Sequence, residues 1–188
     1  MDQLVVPAVV KAAPTANTTD LLLDRVALTP NEPLFSLPQG SGWSDLSAAD
    51  FLTQVRALAK GLIAAGIKPG DKIGLMCRTR YEWTLIDFAT WFAGAVLVPI
   101  YETSAPSQVQ WILSDSEAVA LIVETPDHFA RFDEVHPDLP LITQVWQIGL
   151  GDLDKLVAGG VSVTDEELER RRCLAQGADL ATLIYTSG

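Results

Sequence analysis

The residues best suited to chemistry stand at the carboxyl end of the chain. Asp179-Leu180-Ala181-Thr182-Leu183-Ile184-Tyr185 reads as a strand, and it runs into Thr186-Ser187-Gly188. Hydroxyl side chains and a glycine after a strand can wrap a phosphate, because backbone N–H groups and hydroxyls then converge on the anion's oxygens. The same residues also describe an ordinary polar turn, and residue types alone leave both readings open. A second candidate is the pair Arg78 and Arg80, which closes the apolar run Lys72 to Cys77. Two cations at a strand end can meet an anion or stand as solvated surface charge.

Other patterns carry less. Gly149-Leu150-Gly151 follows a strand-like run but has Asp154 where a dinucleotide fingerprint needs glycine, so it reads as a turn. Neither a Gly-x-x-x-x-Gly-Lys-Ser/Thr loop nor a Gly-x-Ser-x-Gly elbow occurs. His128 and His136 have no cysteine nearby; both are expected to be exposed, and no metal site is expected. Cys77 sits in an apolar run and is expected in the core. With Cys173 it makes no paired motif, which suits a reducing cytoplasm. Trp83, Trp91, Trp111 and Trp146 lie in helix and strand runs and are expected to be core residues.

The elements that must position these groups are regularly spaced. Strand-like runs begin near Lys72, Ala95, Ala118 and Leu141, one every 23 residues. Such gaps exceed the ~12 residues that a parallel crossover requires, and each carries helix signals. Tyr81 to Phe92 places Leu85, Ile86, Ala89 and Phe92 on one side. Pro106 opens a helix capped by Ser104, and Thr125-Pro126 opens another. Ala118 to Val123 is continuously apolar, as strands covered on both faces are. The alternation predicts an α/β fold: a doubly wound, mainly parallel sheet of four to five strands with helices on both faces.

Ahead of it, Leu34 to Ser44 reads as a β-hairpin around Gln39-Gly40-Ser41-Gly42. Ser47 and Asp50 form a capping box for a helix whose apolar stripe is Phe51, Val55, Leu58 and Leu62. Residues 1–30 read as a loosely ordered amino-terminal arm, with a short docking helix around Leu21 to Leu28. After the fourth strand, short helices are expected over Asp152 to Val157 and, capped by Thr164, over Asp165 to Ala175.

Composition narrows the function classes. Hydrophobic residues make up 48% and charged residues 20% of 188, ordinary for a globular protein. At this length roughly 70% of the unfolded surface can be buried, so no disulfide is needed. Thirteen basic against 24 acidic residues gives a net charge of −11, which repels nucleic-acid backbones. Arg170, Arg171 and Arg172 follow four carboxylates on one helix, where i,i+4 pairing accounts for them. The longest apolar stretch, Phe88 to Ile100, is too short to span a membrane. The acidic start and Pro7 argue against an export leader.

Three stretches together resemble one family. Asp179 to Gly188 is similar to the start of the phosphate loop of the adenylate-forming ligases. Gly61-Leu62-Ile63-Ala64-Ala65-Gly66-Ile67-Lys68-Pro69-Gly70-Asp71-Lys72-Ile73 is similar to that family's early helix and Gly-Asp entry. Gly94-Ala95-Val96-Leu97-Val98-Pro99-Ile100-Tyr101-Glu102-Thr103-Ser104 resembles the long-chain fatty acyl-CoA synthetase branch. The resemblance runs from about Leu34 to Gly188. It implies that residues 31–188 are the front part of the large amino-terminal AMP-binding domain of a longer enzyme.

What the resemblance implies is concrete. Such enzymes join a fatty acid to ATP with Mg²⁺, giving acyl-adenylate and pyrophosphate, and coenzyme A then displaces AMP. Thr186, Ser187 and Gly188 would contact the nucleotide's phosphates. The adenine, Mg²⁺ and acyl segments of the family lie further on, so this stretch is expected to be a fragment inactive by itself, with no catalytic residue of its own. Adenylation of another carboxylic acid, or a non-catalytic assembly and dimerisation module, are the alternatives. The resemblance is compatible with a homodimer and with peripheral membrane contact; no nucleic-acid partner is expected.

Overall fold

A computed structural model describes residues 13–186 of the chain. Ser187 and Gly188 lie outside that span. The first helix, α1 (Asp20–Leu28), follows Thr19 and turns Leu22 into the main core, leaving Leu21 and Leu28 to solvent. The described part of the expected arm is fastened down. The Asn17 side-chain amide donates to the carbonyls of Arg172 at 3.2 Å and Ala175 at 3.1 Å.

The expected hairpin is present as antiparallel β1 (Pro33–Gln39) and β2 (Gly42–Ser47). Its two-residue turn puts Gly40 at φ +60°, a conformation glycine adopts without a side-chain clash. Helix α2 (Ala48–Ala64) begins where the sequence predicts. Ser47 Oγ accepts from the Asp50 N–H at 3.1 Å, and Phe51, Val55, Leu58 and Leu62 are buried. The ring of Phe35 meets Phe51 at a centroid distance of 5.0 Å, which docks the hairpin on this helix. Because the Ser47 cap satisfies an otherwise orphaned N–H, Ser47→Ala should lower stability by about 1 kcal/mol, read as a shifted urea midpoint at unchanged slope.

The central sheet contains β3 (Lys72–Met76), β4 (Val96–Ile100), β5 (Ala118–Val123) and β6 (Gln144–Gln147). All pair in parallel, in the order β4-β3-β5-β6. The crossovers are α3 (Tyr81–Phe92), α4 (Pro106–Asp115) and α5 (Pro126–Asp133), and α6 (Asp152–Gly159) and α7 (Asp165–Arg172) follow β6. Alternation along the strands divides the core. Ile73, Leu75, Leu97, Ala120 and Ile122 pack toward α2 and α3, with Leu156 of α6 and Leu168 of α7. Met76, Val98, Ile100, Leu121 and Val123 pack toward Val109, Ile112 and Leu113 of α4 and Phe132 of α5. Helices thus cover both faces, as expected.

Three local expectations are corrected. The segment Asp179 to Tyr185 is not a full strand: it makes one parallel bridge, Thr182 to Leu97. Among the described residues nothing pairs with its outer side, so Leu180 and Ile184 stay exposed. Helix α4 is capped by Ala105 rather than Ser104; the Gln108 side chain accepts from the Ala105 N–H at 2.9 Å, while Ser104 is buried. Trp111 lies on the outer face of α4 and is 59% exposed, because Val109, Ile112 and Leu113 already fill the inner face.

Candidate functional site

In an open parallel sheet, ligands bind beyond the carboxyl ends of the strands, where successive helices leave to opposite faces. Here that happens between β3 and β5, whose last residues Met76 and Val123 are in register. Helix α3 goes to one face and α5 to the other. The backbone there is closed, since Glu124 N–H donates to the Met76 carbonyl at 3.0 Å and Gly149 N–H to the Glu124 carbonyl at 3.1 Å.

The side chain of Glu124 is 2% exposed, and it gathers both arginines. Its carboxylate accepts from the Arg78 backbone N–H at 2.9 Å, Arg78 Nη2 at 2.7 Å and Arg80 Nη1 at 3.1 Å. Arg80 turns its other edge to Glu82, with Nε and Nη2 both at 2.6 Å. The Arg78 side-chain bond is the largest influence on Glu124; with the Arg78 N–H and Arg80 bonds it outweighs burial and holds the carboxyl down at about 2. Charge-assisted contacts of this number and geometry are the strong kind. Arg78 and Arg80 are therefore neither a free anion trap nor plain surface charge. They neutralise an internal carboxylate.

Neighbouring groups are inert. Cys77 is buried as expected, and its thiol donates to the Arg78 carbonyl at 3.1 Å. Burial first, then the Glu124 charge, pushes that thiol up to about 12, so it stays protonated at neutral pH. His128 corrects the expectation of an exposed side chain: it is buried on the inner face of α5, one turn before Phe132, and its backbone N–H donates to the capping Thr125 Oγ1 at 3.2 Å. His136 is exposed. Among the described residues no three His, Cys, Asp or Glu side chains gather as a metal site.

The approach to the candidate phosphate loop is held at several points. Leu97 N–H donates to the Ala181 carbonyl at 3.1 Å, and Leu183 N–H to the Leu97 carbonyl at 2.9 Å. Trp91 Nε1 donates to the Ala181 carbonyl at 2.9 Å. Tyr185 then folds onto α4, its ring 5.1 Å from Trp111 and its hydroxyl donating to Asp115 at 2.8 Å. Thr186 follows, exposed. No hydrogen bond joins it to the Glu124 cluster among the described residues. A cavity of about 900 Å³ lies elsewhere, at the amino edge of the sheet, between Leu21, Trp91, Val96, Leu174 and Leu180.

Residues 22–188 match the model of the AMP-binding enzyme family. The chain belongs to that family. This AMP-binding chain is 39% identical over its whole length to a long-chain-fatty-acid–CoA ligase, FadD15, of Mycobacterium bovis, and 38% to FadD15 of Mycobacterium tuberculosis. It spans about a third of the length of both, 32% in each case. A long-chain-fatty-acid–CoA ligase of Xenopus laevis, ACSBG2, is 26% identical over 80% of the chain. Among solved structures, a fatty acyl CoA synthetase of M. tuberculosis superposes with a TM-score of 0.72 at 24% identity, over 90% of this chain and 32% of that one. The N-terminal domain of FACL13 from the same organism gives 0.75 at 21% identity, over 92% of this chain and 42% of that one. These neighbours share the fold of this chain. No described helix is long and apolar enough to cross a membrane.

Proposed function

We propose that the protein carrying this chain is a long-chain fatty acid–CoA ligase. A fatty-acid carboxylate oxygen attacks the α-phosphorus of ATP and expels pyrophosphate. The thiol sulfur of coenzyme A then attacks the acyl carbon, and AMP leaves with the bonding electron pair. The observation that carries this reading is the 39% identity to a long-chain-fatty-acid–CoA ligase across all of the chain, Tyr185-Thr186-Ser187-Gly188 included.

Thr186, Ser187 and Gly188 are the residues of this chain that would hold the phosphates, by hydroxyl and backbone N–H donors. Mg²⁺ would be bound with the nucleotide's phosphates, and among the described residues no three His, Cys, Asp or Glu side chains gather to hold it. The two unpaired cysteines suit a reducing cytoplasm.

The test is made in the full-length protein. Thr186→Val keeps the shape and removes one donor to a charged oxygen, so kcat/KM for ATP-dependent pyrophosphate release should fall roughly tenfold. Palmitate should be preferred over benzoate and over amino acids. Equal rates with an aromatic or amino acid would reassign the acyl substrate, and an unchanged rate in Thr186→Val would remove the phosphate role. Residues 1–188 alone should release no pyrophosphate from ATP and fatty acid, because three donors at a chain end barely offset the entropy of ordering them.

A further inference from the structure

Helix α7 is held to the protein largely by charged side chains. Of its eight residues only Leu168 is buried. The remaining attachment is ionic and polar. Arg56 on α2 reaches Asp165 at 3.0 Å and Glu169 at 3.1 Å, and Lys60 reaches Asp165 at 2.9 Å. On the other side Arg172 Nη1 donates to Asp20 at 3.0 Å and to Thr19 Oγ1 at 2.9 Å. Arg171 Nη1 donates to the Ile67 carbonyl at 2.9 Å. By contrast α2 buries seven residues.

From α7 the chain continues without regular structure through Leu174 to Ala181, and these residues wall the 900 Å³ cavity together with Leu21 of α1. They then lead to the single bridge at Thr182 and to Thr186. Residues 165–181 thus form one continuous strap, and with α7 loosened it is held only by neutral bonds: Asn17 to the Arg172 and Ala175 carbonyls, Gly177 N–H to the Pro14 carbonyl, and the two donors on the Ala181 carbonyl. The strap's ties to α1 and α2 are pairs of opposite charge, the class of contact that salt weakens; the sheet is held by apolar burial, which simple salt does not weaken.

We propose that α7 is an electrostatic latch. Its ion pairs to α1 and α2 close the strap 165–181 over the cavity, and ionic strength sets how often the strap opens as a unit while the sheet stays folded. The latch stands on these contacts alone. Its consequence for the site rests on the phosphate-loop reading: an open strap leaves Thr186 held only through Leu183 and Tyr185.

The experiment is hydrogen exchange with mass spectrometry on the 188-residue chain, without nucleotide, at 0.05 M and 0.5 M NaCl. Peptides from 165–181 should exchange about tenfold faster at high salt, while peptides from β3 and β5 should not change. Arg172→Met keeps most of the side chain's bulk and removes its charge. In that variant the strap should exchange fast already at low salt and respond less to added salt. Arg56→Met provides a second variant that loosens α7 from the α2 side. Salt-independent exchange of the strap, or a parallel rise in β3 and β5, would overturn the latch. Failure of the phosphate-loop reading would show instead in Thr186→Val, a substitution that lies outside the strap and alters none of its ion pairs.

Discussion

Replacing Glu124 with alanine should cost about 3 kcal/mol of stability and lower the melting temperature by roughly 10 °C. The carboxylate is buried while its two guanidinium partners are partly open to water. Truncation therefore strands the Arg78 N–H and a guanidinium that can recover some hydration, while Arg80 keeps Glu82, which places the loss at the lower end of the range for a broken buried pair. The same group sets an acid limit. Its folded value of about 2 lies below the ordinary 4.5, so its contribution is complete above pH 4.5. It declines as the pH falls from 4.5 toward 2, by about 3 kcal/mol in all. Urea midpoints measured from pH 7 to pH 3 should show that decline in the natural chain and lose most of it in Glu124→Ala. A variant with an unchanged midpoint at pH 7 would show that the cluster contributes nothing net.

Gly61→Ala should be comparably damaging, against the direction that helix propensity gives. Gly61 lies inside α2, where alanine would ordinarily gain about 1 kcal/mol. Here the added Cβ would collide with the carbonyl of Leu156 on α6. Gly160 approaches from the same side: a Cβ on it would lie 2.5 Å from the Gly61 nitrogen. Both obstacles are backbone, so neither can rotate away, and α6 with the turn after it must move off α2. A net loss of about 3 kcal/mol is expected, near the upper end for overpacking. Denaturation of the single variant tests it, and a stabilised Gly61→Ala would mean that the two backbones separate easily.

The architecture was legible because its signals are local. The stripe Phe51-Val55-Leu58-Leu62, the capping pairs Ser47/Asp50 and Thr164/Glu167, and the even spacing of apolar runs each report on neighbours along the chain. The Glu124 cluster was not, because its members are 44 and 46 residues apart and meet only through the pairing of β3 with β5. One signal did point to it: Glu124 ends a wholly apolar strand, so its carboxylate had to sit at the same sheet edge as Arg78 and Arg80. The final segment has a strand-like pattern, and pattern alone does not reveal that among the described residues one of its sides is unpaired. His128 and Trp111 exchanged their expected environments for a similar reason: which face of a short helix turns inward depends on what the neighbouring residues already fill.

The bonds from Asn17 to Arg172 and Ala175 bring together residues 155 and 158 positions apart. Contacts of such separation close a very long loop, and the chain entropy they remove is regained only when most of the sheet is already in place. They belong late in folding, after the crossovers β3-α3-β4 and β4-α4-β5 have formed from nearer partners. Weakening this seam, as in Asn17→Ala, then leaves the folding rate nearly untouched and raises the unfolding rate. The clasp between the two ends of the described chain acts on how long the domain stays folded rather than on how quickly it gets there.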